Sequence, residues 1–141
     1  MATEQNNTIT VEATIDAGIE KVWEFWTNPE HITQWAFASD DWHAPYADND
    51  ARTGGKFKTT MAAKDGSFSF DFEGVYSNVE EHAQIEYTMA DGRWVKIQFS
   101  GDDKTTTVTE EFVPENQNSL EMQKGGWQAI LDNFKKHVEG N

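Results

Sequence analysis

NSLEMQKGGWQAILDNFKKHV, residues 118–138, is the stretch on which the fold turns. Leu120, Trp127, Ile130, Leu131, Phe134 and Val138 recur at spacings that place them on one face of a 3.6-residue helix. Lys124, Gln128, Asp132, Lys135 and Lys136 fall on the opposite face. Asn118 or Ser119 can cap the start, with Glu121 and Met122 in the first turn. Lys135, Lys136 and His137 suit the negative end of the helix dipole, and Gly140 follows as a stop. A helix of about twenty residues is about 30 Å long, enough to cross a small domain. Gly125-Gly126 interrupts it, each Gly costing about 1 kcal/mol relative to Ala. Close backbone approach, a bend, or open space beside Trp127 would account for the pair. The alternative is a shorter helix that starts near Trp127.

Upstream, the chain is mostly strands. Ile9, Val11, Ala13 and Ile15 alternate with Thr8, Thr10, Glu12 and Thr14, the pattern of a half-buried strand. Asp16 reads as a cap for a short amphipathic helix carrying Ile19, Val22, Trp23 and Trp26. Asn28-Pro29 ends it and starts a second, running to about Trp35. Residues 36–55 are the least regular part: Trp42, Ala44 and Tyr46 alternate briefly, and a polar turn from Ala47 leads to Gly54-Gly55. Hairpins follow. Phe57, Thr59 and Met61, then Phe68, Phe70 and Phe72, alternate on either side of Asp65-Gly66. Gly74 reads as a bulge or bend. Ile85 and Tyr87, then Val95, Ile97 and Phe99, flank Asp91-Gly92, and Val108 and Phe112 lie on a last strand. Lys56, Lys58 and Lys96 are expected to face Asp71 and Glu73, and the Thr rows of the first and last strands to pair.

Composition narrows the function. The 141 residues predict one domain, with residues 1–7 flexible. Eleven basic against 25 acidic residues give a net charge of −14, which argues against nucleic acid and anionic membrane as partners. With no cysteine there is no disulfide or thiolate chemistry. The four histidines are not spaced for a metal; His43 near Asp40 and Asp41 is the nearest approach to a site, and no metal or cofactor is expected. No apolar run approaches membrane-span length, so the cytoplasm is the expected location. Nine Phe, six Trp and three Tyr either pack a core or line a cavity.

In order and spacing the chain resembles the helix-grip fold of the START-like superfamily, also called Bet v 1-like or SRPBCC. Within it, it resembles the family named for the activator of the heat-shock protein 90 ATPase, also described as polyketide cyclase-like. The match rests on Val22-Trp23-Glu24-Phe25-Trp26-Thr27 with Asn28-Pro29, Ile32 to Trp35, and Asp50-x-Arg52-x-Gly54-Gly55-Lys56-Phe57. Phe72-x-Gly74-x-Tyr76, Ile85-Glu86-Tyr87-Thr88 and Gly126-Trp127-x-x-x-Leu131-Asp132-Asn133-Phe134 complete it. The resemblance implies an α+β fold: a curved antiparallel sheet of about seven strands, two short helices after strand one, and a long C-terminal helix. It implies a cavity between sheet and helix, and transfers no catalytic residue.

If Val108 and Phe112 point inward, period two carries Glu110 inward as well. A carboxyl buried there is costly unless paired, and desolvation raises its pKa. It can orient a ligand's polar group or act as an acid/base; a bulge or a wet cavity mouth would instead leave it solvated. Phe70, Phe72, Tyr87, Trp127, Ile130 and Phe134 are the candidate walls, although core residues share their pattern. Trp35, Trp42 and Tyr46 flank the irregular segment, as a lid over one end or as core. Arg52 with Gly54-Gly55 lacks the Lys-Ser/Thr of a phosphate loop.

Three functions fit these residues. The first is a module binding a small hydrophobic or aromatic molecule. The second is a stress-response co-chaperone with a chaperone as partner, using an exposed patch around Trp94. The third is a cyclase- or hydrolase-like enzyme using Glu110 with Tyr87 or Tyr46. A monomer or a homodimer is compatible with all three.

Overall fold

The computed structural model describes residues 8–141; the expected flexibility of residues 1–7 lies outside the described residues. The elements run β1 (Ile9–Ile15), α1 (Ile19–Thr27), α2 (Pro29–Trp35), β2 (Trp42–Asn49), β3 (Lys56–Ala63), β4 (Ser69–Glu80), β5 (Gln84–Met89), β6 (Trp94–Gly101), β7 (Thr106–Phe112) and α3 (Leu120–Glu139). The strands form a seven-stranded sheet in the order β1-β7-β6-β5-β4-β3-β2. Every neighbouring pair is antiparallel. This is the expected helix-grip order.

Period-two patterning sorts the faces. In β1, Ile9, Val11, Ala13 and Ile15 are buried and the residues between them exposed. In β7, Thr106, Val108, Glu110 and Phe112 are buried. α3 closes on this face with Leu131, Phe134 and Val138 fully buried. Ser119 caps it, its hydroxyl accepting from the Met122 N–H at 3.1 Å. The long helix is therefore the correct reading, and the start near Trp127 is not. A Cβ at Gly125 or Gly126 would meet nothing within 4 Å, so open space surrounds the pair.

Some local expectations are corrected. Asp16 does not cap α1; Gly18 occupies that position, and the Asp16 N–H binds Glu139 Oε2 at 2.8 Å. This ties the end of β1 to the end of α3. β2 extends to Asn49, so the polar turn starts later than Ala47. The bulge in β4 lies between Tyr76 and Asn78, while Gly74 keeps its pairing with Phe57 and Met89. Gly74 is instead a close approach: a Cβ there would sit 2.7 Å from the Thr88 carbonyl oxygen and 2.9 Å from the Phe57 ring. Lys58 does face Asp71, at 3.6 Å. Lys96 faces Glu86 and Glu111, because β5 separates it from β4. The Thr rows meet at Thr14 and Thr107, 3.2 Å apart.

Candidate functional site: an aromatic cavity under the long helix

The sheet, the two short helices and α3 enclose a cavity of about 370 Å³. Trp26, Ile32, Trp35 and Ala36 close one side from α1, α2 and the residue after it. Phe57, Thr59 and Met61 of β3 and Phe70, Phe72 and Tyr76 of β4 form a second. Ile85, Tyr87 and Met89 of β5, Ile97 of β6 and Glu110 of β7 make the floor, and Gln123, Trp127 and Ile130 of α3 the roof. Asn49, Arg93 and Glu115 complete the lining.

The walls are interlocked rings. Phe57 lies 4.7 Å from Tyr87, 5.2 Å from Tyr76 and 5.7 Å from Phe72, measured between centroids. Its ring passes over Gly74, which explains the glycine. Trp127 meets Phe72 edge-on at 6.2 Å. Such tilted and edge contacts are what ring quadrupoles favour.

Most polar groups here are already engaged. Gln123 is a clamp: its Oε1 accepts from the Glu115 N–H, and its Nε2 donates to the Glu115 and Asn118 carbonyls. This ties the β7–α3 loop to the helix. The Tyr76 hydroxyl donates to Asn49 Oδ1, while Asn49 Nδ2 donates to the Thr27 carbonyl at 2.7 Å. Arg93 Nε pairs with Asp91 at 2.7 Å, beside the tight turn that Gly92 makes at φ +94°.

Glu110 and Tyr87 differ. Glu110 is 5% exposed and Tyr87 6%. Among the described residues neither side chain has a hydrogen-bond partner. No fully enclosed side-chain N or O in the described residues lacks a partner, so their oxygens must border the open cavity. Burial pushes the Glu110 carboxyl up to about 8. Burial, then the nearby Glu110 charge, holds the Tyr87 hydroxyl well above its ordinary value. At neutral pH both are uncharged O–H groups facing an apolar space.

Seven of the residues singled out from sequence reach the cavity: Trp35, Phe70, Phe72, Tyr87, Glu110, Trp127 and Ile130. Three do not. Tyr46 is 50% exposed, because a bulge between His43 and Tyr46 resets the alternation of β2 and turns Ala44 and Ala47 inward. Trp42 packs against Phe68 and Phe70 at 6.1 and 6.0 Å, beside the β3–β4 hairpin. Phe134 is core, fully buried between Trp26 and Trp35 at 4.8 Å from each. Of the two tyrosines expected to act with Glu110, Tyr87 and not Tyr46 shares its cavity, where Tyr76 is also present. Phe57, Thr59 and Met61 were legible as one strand face, but the pattern could not say that this face lines a void. Gln123 and Arg93 carried no such signal. Among the described residues, no three His, Cys, Asp or Glu side chains gather where they could hold a metal ion.

A curled antiparallel sheet gripping one long helix over a cavity is the architecture of the SRPBCC, or Bet v 1-like, proteins. Residues 16–139 match the family model described as "Activator of Hsp90 ATPase homolog 1-like protein", and the chain belongs to that family. An AHSA1-like protein from Aeromonas hydrophila, solved in solution, is 43% identical with a TM-score of 0.88; the match covers 95% of this chain and 93% of that one. A Cytophaga hutchinsonii protein is 54% identical with a TM-score of 0.82, covering 96% and 94%. A Nitrosomonas europaea protein at 18% identity shares the fold with a TM-score of 0.81, over 99% and 97% of the chains. No curated protein matches the chain.

Proposed function

We propose that this protein is a binding module for a small hydrophobic or aromatic molecule held between the sheet and α3. The observation that carries this reading is the cavity itself. At about 370 Å³ it falls in the range of about 300–1,000 Å³ typical of ligand sites, and it is walled by rings with few free polar groups. A protein core of this size normally closes such a void, since each unfilled volume forfeits packing. Here eight aromatic residues stand around it instead of filling it.

Native mass spectrometry of protein taken directly from cells is the test. A retained small molecule is expected, and it should be lost in Met61→Trp, where a larger side chain on the cavity wall takes the ligand's place. Recovery of mass-unmodified protein only, together with failure to bind any apolar probe, would reject the reading.

A second reading follows from the family's name and from one surface. Phe68 and Phe70 are 59% and 41% exposed, and with Trp42 they form an aromatic cluster that includes a cavity-wall residue. Exposed aromatic clusters mark binding surfaces. A co-chaperone role predicts stimulation of a chaperone ATPase by this protein and its loss in Phe68→Ser.

A further inference from the structure

The reading above leaves the ligand's chemistry open, and two groups in the cavity narrow it. With the Thr59 hydroxyl on β3, Glu110 and Tyr87 are the buried polar side chains there with no protein partner among the described residues, and of these three they are the ionisable two. They come from β7 and β5, separated in the sheet by β6 alone, and they face the same void. Burying an unpaired polar group costs free energy that an apolar residue at the same place would not. An empty apolar pocket has no use for either hydroxyl.

We infer, resting on the cavity reading, that the ligand is a flat aromatic body carrying an acceptor oxygen, a carbonyl, which Glu110 and Tyr87 receive as two O–H donors. The surrounding charges fit this assignment. The ionisable groups bordering the void are Tyr76, Tyr87, Arg93, Glu110 and Glu115; α1, α2 and α3 present none. Tyr76 is spent on Asn49, and Arg93 pairs with Asp91. No cation therefore holds Glu110 as a carboxylate, and burial favours its neutral, donating form. A cationic amine is the competing ligand, since rings and a carboxylate also suit an ammonium. The two differ in sign: a carbonyl needs the proton on Glu110, whereas an ammonium displaces it.

Three probes on one skeleton separate them: fluorene, 9-fluorenone and 9-aminofluorene, titrated by quenching of the protein's tryptophan fluorescence. Fluorenone is expected to bind about tenfold more tightly than fluorene, the worth of one good hydrogen bond in a dry site. That preference should vanish as pH rises from about 6 to about 9.5 and Glu110 loses its proton. Glu110→Gln, whose amide still donates, should keep the preference without the pH dependence. Glu110→Leu should abolish the preference and Tyr87→Phe should reduce it, with a retained far-UV circular dichroism spectrum and a cooperative urea transition showing that each variant is folded. Equal binding of fluorene and fluorenone overturns the inference and leaves the cavity reading standing. So does 9-aminofluorene binding tightest, with affinity rising with pH. No binding by any probe sinks both.

Discussion

The indole of Trp127 lies flat on the ring of Phe112, with centroids 3.8 Å apart and planes 12° from parallel. Phe112 ends β7 and is fully buried, while Trp127 also roofs the cavity. This stack fixes the amino-terminal half of α3 above the sheet. Trp127→Ala removes it and should cost about 3 kcal/mol in urea unfolding. Trp127→Phe should recover most of that. Equal stability of Trp127→Ala and wild type would mean that the stack does not hold the helix.

Glu110 makes stability depend on pH. Its carboxyl titrates at an ordinary 4.5 when unfolded and at about 8 when folded. The folded protein thus keeps a proton that the unfolded chain releases. Its contribution is complete below the unfolded value and is lost as pH rises through the folded one, at up to about 1.4 kcal/mol per pH unit. Glu110→Gln cannot ionise. It should match wild type near the lower value and exceed it above the upper one by several kcal/mol, at most about 5 for the whole window. Parallel stability curves for the two proteins would show Glu110 to be solvated.

The histidine pair acts on the acid side. His31 Nδ1 and His137 Nε2 are 3.0 Å apart, joining α2 to the end of α3, and His31 stacks on Phe25. One nitrogen must accept, so the contact requires a neutral ring. Burial, then His31 and Lys21, lowers the His137 pKa. The unfolded chain therefore binds more protons below the usual 6.5, and stability should fall as pH drops through that value toward the folded one. His137→Gln should show a shallower acid slope in thermal melts. In NMR titration of the wild type, the His137 ring should protonate below the free-histidine value.

Gly125 and Gly126 sit in mid-helix with open space where a Cβ would go. Each change to Ala should stabilise the protein by up to about 1 kcal/mol through helix propensity alone. The gain should appear as a higher urea midpoint with unchanged slope. A loss at either site would reveal a required bend or a contact made in another state.

How far the residues alone could be read depends on the range of the forces involved. The apolar face of 118–138 and the alternation of β1 and β7 depend on the period of the backbone, so the helix, the strands and the inward direction of Glu110 were legible. Tyr46 failed because a single bulge reverses the parity of every residue beyond it, and its one local mark, Pro45, fits an unbulged edge strand equally well. Phe134 failed because core and cavity wall demand the same side chain, differing only in what stands opposite.

By itself the sequence determined the element order and one carboxyl among apolar neighbours, since periodicity and turn chemistry act over a few residues, while the helix-grip architecture followed from the family that this order and its motifs resemble. Only the tertiary structure decided that Phe57 crosses Gly74, that Trp127 stacks on Phe112, and that Glu110 and Tyr87 face a common void. Those facts depend on the distance between strands and helix, which curvature and packing across the whole sheet set together.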